Sequence, residues 1–174
     1  MDNETTTPAV WVGCLGCYVN GDLRGEWFQM DDLDPDAGVV SAELGCPDEY
    51  LHEEVFVADY EGFAGLEVGE SLAVAFAHYE TLQELAEARP EVPLPVAVEW
   101  LQDGEISSAD ELEDRLILVG KNLEDIAQEE AEELGDIPVH LWSYIDWEYY
   151  AREMYGYDYS QTWHDGQLYL ISNH

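Results

Sequence analysis

A row of carboxylates between residues 122 and 136 has the spacing of one helix face. Asn122 is placed to cap a helix there, and Gly135 is placed to end it. The apolar positions at helical spacing are Leu123, Ile126, Ala127, Ala131 and Leu134. The acids outside this apolar stripe are Glu124, Asp125, Glu129, Glu132, Glu133 and Asp136, with Gln128 among them.

This acidic row destabilises the helix that carries it. Like charges four residues apart cost roughly a few tenths of a kcal/mol per pair, and no Lys or Arg stands among them. One interpretation is a solvated helix face. The other is a set of phosphate surrogates, since about two acids per turn of about 5.4 Å compare with roughly three phosphates in that length of duplex.

The whole chain has the same character. Its 174 residues contain 40 Asp and Glu against 5 Lys and Arg, a net charge of −35, yet 47% are apolar and 12% aromatic. We therefore expect an ordinary core inside a polyanionic surface, which repels nucleic acid and anionic lipid and attracts basic surfaces built to hold DNA or RNA. Adaptation to high salt is the competing explanation, so a halophile-adapted or metal-binding acidic enzyme is the alternative function.

Three cysteines are the other residues whose spacing suggests chemistry. Cys14-Leu-Gly-Cys17 is half of a zinc site, which Cys46 and a distant histidine could complete. As a redox motif it should open a helix after a strand, whereas the sequence predicts a strand through it. We expect buried thiols in a reducing cytoplasm and assign no metal.

Other chemical motifs are weaker. Asp32, Asp34 and Asp36 match part of a calcium loop, but Ala37 stands where that loop needs glycine. The five histidines fall in no catalytic motif, and carboxylate pairs are uninformative among 40 acids. We expect no catalytic residue and no cofactor.

The order of predicted elements indicates an α+β chain of three small modules. Residues 1–66 form the first, with strands over 9–19, 25–30 and 54–60, a turn at Asn20-Gly21-Asp22, and a helix from Asp34 to Gly45. Residues 67–105 form a helical middle module, with helices over 71–89 and 96–101 and a break at the prolines of 90–95.

Residues 106–174 form the third module. A strand over 114–119 precedes the acidic helix, Pro138 and Asp146 begin short helices that reach residue 154, and strands over 157–163 and 167–172 form a closing hairpin. Its many aromatic residues predict a self-association patch. No stretch of about 18 apolar residues is present to span a membrane, and residues 1–8 do not have the pattern of a secretion signal.

The two ends of the chain resemble the ArdA antirestriction family. The matching stretches are residues 10–28 (VWVGCLGCYVNGDLRGEWF), 48–50 (DEY), 58–61 (ADYE) and 137–152 (IPVHLWSYIDWEYYAR), together with the closing hairpin. The middle module matches in general character.

The resemblance implies a non-catalytic DNA mimic made by mobile genetic elements, elongated and dimeric. It implies that the protein occupies the DNA-binding groove of the methyltransferase core of type I restriction–modification enzymes, in the cytoplasm. The candidate phosphate-mimicking residues are Asp31, Asp32, Asp48, Glu49, Glu84, Glu87, Asp110, Glu111, Glu113, Glu124, Asp125, Glu129, Glu132, Glu133, Asp136 and Glu148.

Overall fold

The computed structural model of the protein describes residues 7–46, 54–135 and 137–173. The chain is 45% helical and 21% strand, with two three-stranded antiparallel sheets, so the predicted α+β class is confirmed. It divides into two compact units, Met1–Glu84 and Leu85–His174. The finer division into three modules stays a prediction.

The first unit is built on a sheet with the order β2-β1-β3. Its strands are β1 (Ala9–Cys14), β2 (Gly25–Gln29) and β3 (Val55–Glu61), and both pairings are antiparallel. Val10, Val12 and Val57 are buried on its inner face, as the alternation of a half-buried sheet requires.

The outer face of this sheet carries aromatic side chains. The Trp11 indole lies over Gly25 and Gly13, where an added Cβ would stand 2.2 Å and 2.9 Å from the ring. Trp11 also packs against Phe56, with ring centroids 6.4 Å apart. Glycine is needed at both positions because the Trp11 ring occupies the space that a side chain there would fill.

The predicted strand over 9–19 is wrong beyond Cys14, because residues 15–19 form a helix, α1 (Leu15–Val19). The Cys14 sulfur caps this helix by accepting a hydrogen bond from the Cys17 backbone N–H at 3.5 Å. Gly21 follows the helix with φ +84°, a conformation that glycine adopts without strain.

The second helix of this unit, α2 (Ala37–Glu43), begins two residues later than predicted. Asp36 is its cap and accepts hydrogen bonds from the N–H groups of Gly38 and Val39. Asp34 instead accepts from the N–H of Asp36, forming a turn before the helix. The predicted end is confirmed, since Gly45 has φ +64°.

The proline-rich break between two helices is confirmed. The helices are α3 (Leu72–Ala88) and α4 (Leu94–Asp103). The boundary between the two compact units falls within α3, between residues 84 and 85. Pro93 is the cap of α4 and Pro95 lies in its first turn, where a missing N–H removes no helical bond. The predicted start at residue 96 is two residues late.

The second unit contains a sheet with the order β4-β6-β5. Its strands are β4 (Ile117–Gly120), β5 (Tyr159–His164) and β6 (Gln167–Ser172). Besides α4, its helices are α5 (Ala109–Asp114), α6 (Leu123–Leu134), α7 (Trp147–Tyr155) and a 3-10 helix (Val139–Tyr144). The prediction of a strand from residue 114 is wrong at its start, because Asp114 is the last residue of α5.

The core of this unit lies between α6, α7 and the sheet. One cluster of buried residues there consists of Ile126, Ala127, Ala151, Tyr155, Leu168 and Leu170. Leu123 and Trp147 pack against them from the starts of the two helices. This packing fixes which face of α6 points outward.

None of the helices that the structure describes is both long enough and apolar enough to cross a membrane.

Candidate functional site

Helix α6 is held in place at both ends and along one face. The Asn122 Oδ1 atom accepts a hydrogen bond of 2.8 Å from the N–H of Asp125, and Gly135 ends the helix with φ +65°. Ile126, Ala127 and Ala131 are buried. The predicted cap, apolar stripe and end of this helix are confirmed except at Leu134, which is 67% exposed.

Most acids of α6 lie on the opposite face. Glu124, Glu129, Glu132 and Glu133 are exposed. Asp125 is half-buried, and its Oδ2 atom accepts a hydrogen bond of 3.3 Å from the N–H of Lys121. Within residues 7–46, 54–135 and 137–173, no carboxylate of α6 forms a salt bridge.

Glu130 is an acid of this helix that the row drawn from the sequence omits. It is half-buried, and its charge adds to burial in raising the pKa of Tyr155 to about 12 and in raising that of Tyr159. Its place four residues after Ile126, on the apolar side, is the signal that separates it from the exposed row.

The candidate acids of α5 divide into two kinds. Asp110 and Glu113 are exposed. Glu111 is half-buried; the Arg115 guanidinium, followed by hydrogen bonds from Ser107, lowers the pKa of its carboxyl to about 2. Glu111 therefore belongs to an internal contact of the second unit as well as to its acidic surface.

The other described candidates are also at the surface. Asp31 and Asp32 follow β2, with Asp31 accepting hydrogen bonds from Thr7 and Tyr79. Glu84 and Glu87 are exposed on α3, and Glu148 is exposed in the first turn of α7. Asp48, Glu49 and Asp136 lie outside the described residues.

Arginine side chains of this chain are mostly engaged with backbone oxygens. Arg89 donates to the carbonyl groups of Leu112, Glu113 and Arg115. Arg115 donates to those of Ser172 and Glu105. These cations hold the second unit together, and among its described exposed carboxylates only Glu91 and Glu153 pair with an arginine.

The three cysteines converge in the first unit. Their Sγ atoms all lie within 4.8 Å of one another, with Cys14 and Cys17 buried and Cys46 half-buried. The sequence-based argument that the C-x-x-C lies inside a strand is wrong, since Cys14 ends β1 and caps α1. Burial, with hydrogen bonds that the Cys46 thiol donates to the Cys14 and Cys17 sulfurs, raises the pKa of Cys46 to about 12, and burial also raises the pKa of Cys17.

Aromatic residues of the second unit are partly packed and partly exposed. Trp147 packs edge-to-face on Trp142 and on Tyr150, with centroids 5.3 Å and 5.6 Å apart. Tyr144 and Tyr157 are 85% and 75% exposed. The exposed side chains are the ones available to a partner.

A comparison with family models places most of the chain in one family. The model of the antirestriction protein ArdA matches residues 10–168. This chain is a member of the ArdA family. The resemblance seen at its two ends is confirmed and extends through the middle of the chain. A comparison with curated proteins finds none that matches.

ArdA membership sets the class of function. The family consists of antirestriction proteins, which are inhibitors and act against restriction–modification enzymes. The match does not favour the alternative of a halophile-adapted or metal-binding acidic enzyme.

Proposed function

We propose that the protein blocks type I restriction–modification enzymes by mimicking DNA. It occupies the DNA-binding groove of the methyltransferase core, where its carboxylates pair with the Lys and Arg side chains that otherwise hold phosphates. It does so in the cytoplasm of a cell that receives a mobile genetic element, and it catalyses no reaction.

The unneutralised carboxylates of α6 carry this proposal. Glu124, Glu129 and Glu132 are exposed, and no α6 carboxylate forms a salt bridge in the part of the chain that the structure describes. A helix that only had to be soluble and stable would intersperse basic residues, because each i, i+4 acid pair is unfavourable. Repulsion between neighbouring carboxylates is expected to persist when those carboxylates are needed to bind a partner.

The amount of charge matches a useful length of DNA. A duplex carries one charge per about 1.7 Å, so the net charge of −35 at that density extends about 60 Å, or about 17 base pairs. The proposed homodimer doubles that length. The proposal therefore includes an elongated chain of modules at 1–66, 67–105 and 106–174, whose self-association uses the exposed aromatic residues of the last module.

Charge pairing of this kind makes three demands on the measured inhibition. Inhibition should be complete at a near-stoichiometric ratio of inhibitor to enzyme, since a large complementary surface gives tight binding. It should weaken steeply with salt, because the enzyme's bound anions are released on binding. It should not require turnover of any substrate.

A titration of a type I methyltransferase tests these demands. Purified protein is added to a DNA-methylation assay at several salt concentrations between about 50 and 200 mM. We expect loss of methylation near one inhibitor dimer per enzyme at low salt, reversed by excess DNA. Inhibition that persists after the protein is removed, or that is insensitive to salt, would contradict the proposal.

A further inference from the structure

The convergence of three thiols in the first unit is not explained by the acidic surface. Cys14 lies at the end of β1, Cys17 within α1, and Cys46 beyond the end of α2. Three separate parts of the first unit therefore bring sulfur atoms to within 4.8 Å of one another, although Cys17 and Cys46 are nearly thirty positions apart in the chain. These are all the cysteines of the protein.

We propose that Cys14, Cys17 and Cys46 form a binding site for a thiophilic divalent metal ion, Zn²⁺ in the first place. This site is independent of the proposed function and stabilises the first unit.

The separation of the sulfur atoms suits a tetrahedral ion. Zn–S bonds are about 2.3 Å long, so two thiolates on a tetrahedral zinc ion stand about 3.8 Å apart. No two of the three sulfurs are separated by more than about 1 Å beyond that distance, an excess that rotation of cysteine side chains covers. The fourth ligand is a water molecule on the side of Cys46, the half-buried member of the group.

A backbone donor and one cation lie beside the sulfurs and would stabilise thiolates once a bound metal ion displaces the protons that burial otherwise retains. The N–H of Cys17 donates to the Cys14 sulfur at 3.5 Å, a contact that also stabilises metal-bound thiolates. Arg24 is close enough to act electrostatically on Cys17 and Cys46, and its Nη1 atom is fixed at 2.7 Å from the carbonyl oxygen of Gly45. Three thiolates and Zn²⁺ carry one net negative charge, which this guanidinium offsets.

Ligand chemistry separates this site from the rest of the acidic protein. The 40 carboxylates are hard ligands that suit Mg²⁺ and Ca²⁺, whereas thiolates select zinc and similar soft ions. A Cys14–Cys17 disulfide is the competing use of a C-x-x-C, but it would leave Cys46 as a single thiol beside it. A metal ion uses all three sulfurs and closes the loop from α1 to α2, which stabilises the fold.

Cobalt substitution gives the most specific test. The full-length protein is purified under reducing conditions, stripped of metal with a chelator, and titrated with Co²⁺ in excess Mg²⁺. We expect sulfur-to-cobalt charge-transfer bands and intense visible bands of tetrahedral cobalt, which saturate at about one ion per chain and disappear when Zn²⁺ is added. Protein purified without a chelator should contain about one zinc per chain.

Two variants control this experiment. Cys46→Ser alters the half-buried ligand and should weaken cobalt binding at least about tenfold while circular dichroism shows a folded protein. The triple variant Glu124→Gln/Glu129→Gln/Glu132→Gln removes carboxylates of the second unit, which are hard ligands, and should leave the sulfur-to-cobalt bands unchanged.

The proposal is overturned by either of two results on the folded wild-type protein. One is the absence of sulfur-to-cobalt bands, with cobalt binding only as Mg²⁺ does. The other is a single reactive thiol in denaturant after purification under reducing conditions, which would show a disulfide. Neither result depends on a variant that could misfold, and neither bears on inhibition of restriction enzymes.

Discussion

Arg115 pairs through its Nη2 atom with the carboxylate of Glu111, one helical turn earlier in the chain. The same guanidinium donates to the carbonyl oxygens of Ser172, in β6, and Glu105, before α5. One of the few basic residues of this protein thus connects a helix to the end of the central strand of a sheet. Glu111 is therefore a carboxylate that helps to hold the fold together, in contrast to the acids that only face solvent.

The Glu111–Arg115 pair predicts a specific loss of stability in acid. The arginine lowers the pKa of Glu111 from 4.5 to about 2 in the folded protein. Since the unfolded chain binds this proton first as pH falls, the contribution is complete above the unfolded pKa and is lost between about pH 4.5 and pH 2. Glu111→Gln should lower the free energy of unfolding at neutral pH and flatten its dependence on pH in that window.

Urea unfolding at several pH values measures this effect. Glu113→Gln, an exposed acid on the same helix, is the matched control and should retain the wild-type acid dependence between pH 4.5 and pH 2. Equal behaviour of the two variants would show that the ion pair does not stabilise the second unit.

A buried hydrogen bond links α4 to β5. The indole N–H of Trp100 donates to the Thr162 hydroxyl at 3.1 Å, and both residues are at most 4% exposed. Thr162→Val keeps the shape but leaves a buried N–H unsatisfied, which should cost about 1–3 kcal/mol in the free energy of unfolding. Thr162→Ser keeps the hydroxyl and should lose less; a larger loss for serine than for valine would refute the role of the hydrogen bond.

The glycine beneath Trp11 is required by space. An added Cβ at position 25 would stand 2.2 Å from the indole, so Gly25→Ala should destabilise the protein by about 1–3 kcal/mol. In the double variant, Trp11→Leu should recover part of the loss caused by Gly25→Ala, because it removes the ring with which the new Cβ clashes. Strictly additive losses in the double variant would mean that the indole is not the obstacle.

The α6 acids predict opposite changes in stability and inhibition. Glu129 stands between Asp125 and Glu133 at i, i+4 spacing, so Glu129→Gln should stabilise the helix by about 0.5 kcal/mol while changing inhibition little. The triple variant with Glu124→Gln and Glu132→Gln should be at least as stable as wild type yet weaken inhibition measurably. Loss of all inhibition from one conservative change would argue for catalysis instead.

Elements with strong local signals could be predicted from the sequence. The hairpin at the end of the second unit turns through Asp165 and Gly166, which have φ +47° and +78°, the conformation that this dipeptide favours. Helix α6 could be predicted because its capping residue, the helical period of its apolar residues and its final glycine all indicate the same helix. The exposure of its acids follows from that period.

Short helices could not be predicted in this way. Helix α1 has five residues, fewer than two turns, and a cysteine sulfur caps it in place of a usual oxygen. Helix α5 did have a signal, since Ser108 caps the N–H of Glu111 while the Glu111 carboxylate accepts from Ser107. The prediction missed this helix because residues 114–119 were assigned to a strand that includes its last residue, Asp114.

The sequence offers Cys46 as a possible partner of Cys14 and Cys17, but it could not establish that the three thiols meet, because their meeting depends on a distant contact. Sequence spacing relates Cys14 to Cys17, but the approach of Cys46 requires the fold of α2 against the sheet. Glu130 shows the converse, since its half-burial follows from the same helical period that predicted the exposed row.

Displacement of DNA from a type I methyltransferase core is the most direct test of mimicry. A fluorescent duplex bound to the enzyme is titrated with the protein while anisotropy and complex mass are recorded across a salt series. The account predicts that duplex and protein exclude each other, and that the logarithm of the protein's affinity falls linearly with the logarithm of salt concentration. A stable ternary complex of enzyme, duplex and protein would contradict it.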